Sequence, residues 1–433
     1  MSIKVCDALC GSGKTSAAIK MMNERTDRKF VFVTQYLTEV QRIKIGCAGR
    51  AFVEPETNLE CTTKLANFHE LLRAGHNITT THSLFSYYTE ETIQLIKEQG
   101  YILVLDEVID VVDVTSLSPG DLDILLKSGS VMDEGDRLTW VNDDYSNDLD
   151  GRFREEMMRA KSNNLLKHEA GYYCWVIPPE LFTCFEEAYV LTYMFYAQPL
   201  RSFFDIYGLE YETIGTKRTE LGFDFCPLGE MDRRRELRNK IHILEHKKLN
   251  TIGDKRNALS VSWYNVRERD GDEDISRIKK NLSNLFRNIW RAKAAESMWT
   301  TFKDAREDAS PRGYGNSFVP YNKRASNEYA NRKYLAYCVN NFPRPWEFNF
   351  YKERGSNMSS DGYALSILVQ WIFRSAIRNN EEVWIYIPSA RMRYLLAQWL
   401  DKLAVGEDLD EIKYTTPRKR ISKKKRKNAK QSV

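Results

Sequence analysis

A glycine-rich turn between a strand and a helix is the feature that most constrains this chain. Residues 8–15 read ALCGSGKT, at the end of the apolar strand IKVCDA and at the start of a predicted helix. Gly11 and Gly13 allow backbone N–H groups to converge on an anion. Lys14 supplies a cation for the β- and γ-phosphates, and the Thr15 hydroxyl suits Mg²⁺. The pattern predicts a nucleotide phosphate loop formed by Ala8, Leu9, Cys10, Gly11, Ser12, Gly13, Lys14 and Thr15.

Short apolar strands alternate with helical segments in both halves of the chain. Continuous apolar strands separated by helices are typical of a parallel sheet covered on both faces. We therefore expect an α/β protein. After the first strand, predicted strands cover 29–35, 77–83, 101–111, 188–195, 240–245, 258–265 and 382–389. Predicted helices cover 14–25, 37–46, a long segment from Leu84, a long segment through 275–289, and 363–379.

The length of 433 residues favours two to three domains, at roughly 150 residues each. We predict a first domain over 1–235, a second over 240–413 and a tail over 414–433, with a polar linker from Phe225. The first domain is predicted to carry an insertion at about 110–185, with a hairpin that turns near Gly135 and a helix over 150–171. This insertion is expected either to guide strands of a nucleic acid or to serve as a stabilising side domain.

The positive charge of the chain is concentrated at its C-terminus. The net charge is +4, but the tail from Pro417 carries nine Lys and Arg residues and no acid. Without those nine, the 64 basic residues fall to 55 against 60 acidic residues, a net of −5. A basic surface elsewhere must therefore be a local patch. The tail itself is expected to be disordered and to attract phosphates non-specifically, or to act only as a solubilising segment.

Cysteine usage and hydropathy exclude several classes of protein. The eight cysteines form no CxxC pair and only six histidines are present, so neither a zinc site nor a disulfide framework is expected. No run of 18 apolar residues occurs, and the phosphate loop begins within ten residues of Met1. These features predict reduced, buried thiols, no membrane span and a cytoplasmic location, which would be the host cytoplasm for a phage protein.

An acidic pair follows the most apolar predicted strand. The segment ILVLDEV places Asp106 and Glu107 at the carboxyl end of a buried strand, where ligands bind in open α/β sheets. Asp106 and Thr15 are the predicted Mg²⁺ ligands. Glu107 is the predicted general base that polarises an attacking water. The glutamate favours hydrolysis over a small-molecule kinase, because a kinase needs no water-activating base there.

Three polar residues are spaced four apart in an otherwise apolar segment near the C-terminus. Gln370, Arg374 and Arg378 lie in QWIFRSAIR, and on a helix they would share one face. Arginines from a second domain can stabilise charge on a γ-phosphate during hydrolysis. The alternative, a solvated basic face, stays open.

The order ALCGSGKT, LDEV, LTYMF and QxxxRxxxR resembles the superfamily-two (DEAD/DEAH-like) helicases, most of all the compact bacteriophage type. The resemblance implies two RecA-like P-loop domains with parallel sheets, ATP and Mg²⁺ as cofactors, and nucleic acid as partner. DNA is implied more strongly than RNA, together with replication or recombination and possible replication proteins. It also implies that five residues contact nucleic acid or couple its grip to ATP: Thr34, Gln35, Thr81, Ser83 and Thr192.

Three functions remain compatible with these motifs. An ATP-dependent helicase or translocase is the first hypothesis. An ATP-controlled clamp or remodelling subunit that binds nucleic acid or protein without unwinding is the alternative. A kinase comes third, since the sequence shows no acceptor site.

Overall fold

The computed structural model describes residues 1–58, 61–115, 117–135, 137–142, 153–162, 164–167, 173–231, 234–270, 273–322, 328–407, 409–410 and 412–415. The chain divides into two compact units. Unit 1 comprises residues 1–233 and 343–366, and unit 2 comprises 234–342 and 367–433. The predicted second domain, 240–413, was therefore wrong in one respect, because 343–366 pack with unit 1. The basic residues of the predicted tail lie outside the described residues.

The described strands are β1 (Ser2–Asp7), β2 (Lys29–Thr34), β3 (Ile78–Thr81), β4 (Tyr101–Asp106), β5 (Val112–Val114), β6 (Val131–Asp133), β7 (Arg137–Trp140), β8 (Asn164–Lys167), β9 (Tyr173–Val176), β10 (Glu187–Thr192), β11 (Glu212–Thr219), β12 (Gly222–Pro227), β13 (Ile241–Ile243), β14 (Ser297–Thr300), β15 (Tyr334–Tyr337) and β16 (Val383–Tyr386). The described α-helices are α1 (Lys14–Glu24), α2 (Leu37–Gly46), α3 (Lys64–Arg73), α4 (His82–Phe85), α5 (Glu90–Gln99), α6 (Pro119–Lys127), α7 (Arg154–Ser162), α8 (Glu180–Thr183), α9 (Pro199–Ile206), α10 (Val261–Asp270), α11 (Glu273–Asn284), α12 (Arg306–Ala309), α13 (Pro345–Glu353), α14 (Ser360–Ile372) and α15 (Ala390–Val405).

The main sheet of unit 1 has the order β12-β11-β1-β10-β4-β2-β3, and all its neighbours are parallel except β11 and β12. Its central strands are buried on both faces, which explains their uninterrupted apolar sequences. β10 separates β1 from β4 in this sheet. The predicted α/β class with a parallel sheet is confirmed.

The insertion forms a sheet of its own. Its antiparallel order is β5-β9-β8-β7-β6, and it packs a small core around Leu138, Leu165 and Trp175. The predicted hairpin is confirmed, with Gly135 at φ 98° between β6 and β7. The helix predicted over 150–171 was partly wrong, because only α7 is helical among its described residues and β8 pairs with β7 and β9.

Two other predictions for unit 1 were wrong. The long helix expected from Leu84 is broken after Phe85, and α5 begins afresh with a capping box between Thr89 and Thr92. The linker expected from Phe225 begins instead as part of β12, which pairs antiparallel with β11 at the sheet edge.

The sheet of unit 2 is parallel throughout, in the order β13-β16-β15-β14. The strand predicted over 258–265 was wrong: most of it lies in α10, where Trp263 and Tyr264 are buried. α11 has the predicted apolar face, but a π-helical turn over Leu285–Ile289 follows it and leaves Ile289 exposed.

Two expectations from composition concern the whole chain. None of the eight cysteines forms a disulfide, and all except Cys10 are buried. Within the described ranges, no helix is both long enough and apolar enough to span a bilayer.

Candidate nucleotide site

The turn between β1 and α1 has the backbone that its glycines predict. Gly11 and Gly13 lie at φ 80° and 84°, in the left-handed region that favours glycine. The Lys14 ammonium donates to the carbonyl oxygens of Ala8, at 2.5 Å, and Leu9, at 3.1 Å. The loop therefore curls around the lysine side chain at the N-terminus of α1.

The same turn contains backbone N–H groups that are available to bind an anion. Ser12 donates its N–H to the Leu9 carbonyl at 3.1 Å. Among the described residues, no acceptor is found for the N–H groups of Gly11, Gly13 and Lys14. Unpaired N–H groups beside a helix N-terminus and a lysine form a concave anion site. This donor set fits the phosphates of a nucleotide.

Thr15 and Asp106 meet although 91 positions separate them. The Thr15 hydroxyl donates to Asp106 Oδ1 at 3.3 Å. Burial, followed by the negative charges of Glu107 and Glu39, raises the pKa of Asp106 to about 7. Removing a carboxylate from water while like charges lie nearby makes its ionised form costly, and a bound cation would offset that cost. A hydroxyl and a carboxylate are hard oxygen donors of the kind Mg²⁺ prefers.

Glu107 leaves β4 with an uncommon backbone. Its φ is 66°, in the left-handed region, and its N–H donates to the Leu191 carbonyl at 3.0 Å. This bond ties the end of β4 to β10. Beside it, His82 Nε2 donates to the Asp106 carbonyl at 3.0 Å, so this ring forms a hydrogen bond at the end of β4. Lys14, Thr15, Asp106 and Glu107 thus lie at one carboxyl edge of the sheet.

Asp7 is a residue of this edge that the motifs did not indicate. It ends β1, opposite Thr192 in the register with β10. Its carboxylate accepts the N–H groups of Met194, at 2.7 Å, and Phe195, at 2.9 Å. Burial raises its pKa despite these donors. Asp7 therefore fixes the turn after β10 against the strand that carries the loop.

The edge hairpin β11–β12 supports the loop from the other side. The Thr216 hydroxyl donates to the Ser12 carbonyl at 2.9 Å. The Phe223 ring packs against Gly13 so closely that a Cβ on Gly13 would overlap it. No motif marks this region, and only the position of the strands reveals its role.

The five predicted nucleic-acid contacts occupy different environments. Thr34 and Thr192 end β2 and β10 and are buried, at 2% and 5% exposure. The Thr81 hydroxyl accepts the Leu84 N–H at 3.4 Å and so caps α4. Gln35 and Ser83 are exposed. Gln35 and Ser83 are therefore the members of the set whose side chains are open to a ligand.

The three polar residues of QWIFRSAIR do not share a helix face, so that prediction was wrong. α14 ends at Ile372, between Gln370 and Arg374, and a 3₁₀ turn over Ala376–Asn379 follows. Gln370 is half-buried, Arg374 is 5% exposed, and Arg378 is exposed. All three belong to unit 2. The catalytic roles proposed for them remain predictions.

The Thr15–Asp106 pair is the oxygen-donor set that both the sequence and the geometry indicate. The described residues hold no group of three or more His, Cys, Asp or Glu side chains placed to bind a metal ion.

Fold and geometry define a two-unit α/β protein with a candidate phosphate-loop site in unit 1. The chain resembles solved structures of apo XPD and of S. tokodaii Xpd4, each at 12% identity, with TM-scores of 0.48 and 0.47. The first alignment covers 94% of this chain and 95% of the other, and the second covers 94% of each.

Residues 235–400 match the family model of the YonV C-terminal Rossmann-like domain. The chain is 37% identical over 410 residues to the SPbeta prophage-derived uncharacterized protein YonV of Bacillus subtilis strain 168, an alignment covering 92% of this chain and 98% of that relative. The chain belongs to the YonV family.

Proposed function

We propose that this protein is an ATP-dependent helicase or translocase that acts on nucleic acid. The observation that supports its ATPase part is the convergence of Lys14, Thr15, Asp106 and Glu107 at one sheet edge. A phosphate loop next to a hydroxyl–carboxylate pair and a second carboxylate is the set of groups that NTP hydrolysis requires.

Each residue of the proposed site has a distinct role. ATP bound with Mg²⁺ would supply the phosphoanhydride bond that is hydrolysed. Lys14 and the free N–H groups of the loop hold the phosphate oxygens. Thr15 and Asp106 hold the cation. The Glu107 carboxylate orients a water and accepts its proton, and the bond from its N–H to Leu191 keeps it at that position.

The nucleic-acid part of the proposal is supported by motif order and by a second parallel α/β unit. We propose that Gln35 and Ser83 contact a phosphate backbone, that Thr34, Thr81 and Thr192 shape the edge that presents them, and that Arg374 or Arg378 acts as an arginine finger with Gln370 beside it. The prophage origin of the relative supports a bacteriophage role, for which we propose DNA replication or recombination.

ATP hydrolysis by the full chain tests this function. We expect turnover that depends on Mg²⁺ and rises with single-stranded DNA, duplex DNA or RNA, whichever is the substrate. Lys14→Ala should abolish turnover, because it removes the single lysine of the loop. Near-normal turnover in that variant would contradict the phosphate-loop assignment.

A strand-separation assay then decides between the two classes. A helicase separates a tailed duplex with ATP and not with a non-hydrolysable analogue. If nucleic acid stimulates hydrolysis but the protein neither separates the duplex nor moves along it, the protein is the ATP-controlled clamp or remodelling subunit.

A further inference from the structure

An open groove of about 680 Å³ lies on the surface of unit 2. One wall is the outward face of α11 with the π-helical turn over Leu285–Ile289, and the other wall includes Arg312. Four cations line it, Lys279, Lys280, Arg287 and Arg312, and the remaining lining side chains are serines and asparagines. No carboxylate of the described residues lines it.

The groove has a fixed shape because both walls are anchored. Ile275, Ile278 and Leu282 bury the inward face of α11, which directs the lysines outward. The Arg312 N–H donates to Ser283 Oγ at 3.3 Å, and Arg287 donates to the Arg312 carbonyl at 2.8 Å. These bonds join the two walls directly.

The cations of the groove lack the direct ion pairs that other exposed cations of unit 2 form in the described structure. Throughout the part of the chain that the structure describes, none of its four cations forms an ion pair. Other exposed cations of unit 2 do pair, as Lys333 does with Glu381 at 2.8 Å and Arg238 with Asp401 at 2.6 Å. A cluster of like charges with low-dielectric walls concentrates positive potential and attracts anions.

The extent of the groove favours an extended anion over a small one. Arg287 follows Lys279 by eight positions, a rise of about 12 Å along a helix. One phosphate cannot contact both ends, whereas successive phosphates of a strand can. Serine and asparagine side chains are common donors to phosphate oxygens between such cations. We infer that this groove binds the sugar–phosphate backbone of a nucleic-acid strand, as a site separate from the nucleotide site.

The inference rests on the proposed function only in taking nucleic acid as the ligand. The test uses the full chain, without nucleotide, and a labelled single-stranded oligonucleotide whose binding is followed by anisotropy across a salt series. Lys279→Gln/Lys280→Gln removes two charges from the groove. Arg291→Gln/Lys293→Gln removes two exposed charges of the same unit that do not line it. Thermal unfolding confirms that both variants are folded.

We expect the slope of log K against log salt to become shallower by about 1.4 in the groove variant, since each phosphate that is no longer neutralised changes it by about 0.7, and to stay unchanged in the control. Equal slopes in the groove variant and the control variant would contradict strand binding in the groove and leave the proposed function intact. Absence of binding by the unmodified chain would overturn the inference, and absence of nucleic-acid-stimulated ATP hydrolysis in the same chain would overturn the proposed function. Displacement of the strand by micromolar inorganic tripolyphosphate at constant ionic strength, seen with the unmodified chain but not with the groove variant, would instead mark the groove as a small-anion site and also overturn the inference.

Discussion

Glu107 holds a backbone conformation that glutamate rarely adopts, at the point where β4 ends. Its φ of 66° costs a non-glycine residue about 1–2 kcal/mol, so surrounding bonds must maintain it. The bond from its N–H to Leu191 does so. Backbone strain of this kind concentrates at functional sites, and here it lies in the residue that follows Asp106 of the Thr15–Asp106 pair.

Two substitutions of Glu107 separate its chemical role from its backbone. Glu107→Gln keeps the shape and removes the base, so ATP should still bind while turnover falls by roughly 10²–10⁴-fold. Glu107→Gly should be equally inactive but relieve the strain, raising the free energy of unfolding by up to about 1 kcal/mol relative to the Gln variant. Turnover is measured by phosphate release, and nucleotide binding is measured with a fluorescent analogue. Retained hydrolysis in the Gln variant would place the base elsewhere.

Glu347 provides a pH-dependent term in stability away from the nucleotide site. It lies in α13 at 8% exposure, and burial, followed by the charge of Asp110, raises its pKa from 4.5 to about 7. The folded state therefore holds this proton more tightly than the unfolded state. The stability it contributes is present below about pH 4.5 and is lost as pH rises through about 7.

Glu347→Gln should remove the loss of stability that Glu347 causes as pH rises. We expect the variant to match the unmodified chain near pH 4.5 and to exceed it at pH 8 by roughly 2–4 kcal/mol, since each pKa unit corresponds to about 1.4 kcal/mol. Urea unfolding at both pH values measures this, with Glu353→Gln, an exposed position of the same helix, as the control. A pH-independent difference would show that Glu347 is not the titrating group.

At the scale of elements, the hairpin β11–β12 couples the edge of the sheet to the phosphate loop. Thr216 bonds to Ser12, Phe223 covers Gly13, and Asp224 pairs with Lys20 of α1. The loop is thus held between β1 and an antiparallel pair that follows it by about two hundred residues. Its rigidity depends on packing as well as on its glycines.

Gly13→Ala tests the close packing of this hairpin. The substitution should cost about 1–2 kcal/mol from the left-handed backbone alone, with a further cost from overlap with the Phe223 ring. The double variant Gly13→Ala/Phe223→Ala should avoid the cost of overlap with the ring but keep the cost of the left-handed backbone. Unfolding of both single variants and the double variant gives the coupling energy, for which we expect about 0.5–3 kcal/mol. Purely additive effects would mean that Phe223 does not confine Gly13.

Elements with a strong local signal could be predicted from the sequence, and elements fixed by distant contacts could not. The strands β1, β2, β4 and β10 follow from their apolar runs. The end of α14 does not, because the Ala376 N–H donates to the Arg332 carbonyl at 2.9 Å instead of continuing the helix. Likewise, α10 replaces a predicted strand where Tyr264 donates to the Cys338 carbonyl at 2.9 Å. The site residues of the loop could be predicted because they form one contiguous segment, 8–15. Asp7 and Thr216 could not, because their hydrogen-bond partners lie far along the chain.

At the scale of the whole molecule, charge is distributed unevenly. The net charge of +4 depends on nine cations beyond Pro417, and the remainder is net −5. An acidic body repels nucleic acid except where cations gather, as they do in the groove of unit 2. The basic tail and the groove would therefore contribute separate electrostatic terms to strand binding.

Truncation after Lys413 isolates the contribution of the tail. It removes nine positive charges, so strand binding should weaken at low salt. Basal ATP hydrolysis and folding should be unchanged. If Z charges contact phosphates, the slope of log K against log salt becomes shallower by about 0.7Z on single strands, and we expect a change of roughly two to five. A full-length chain with the nine residues changed to Gln should behave like the truncation, because charge and not length is responsible. Intact and truncated chains should converge at high salt, where screening dominates. An unchanged slope in both variants would exclude the tail as a nucleic-acid contact and leave the groove as the basic surface to account for binding.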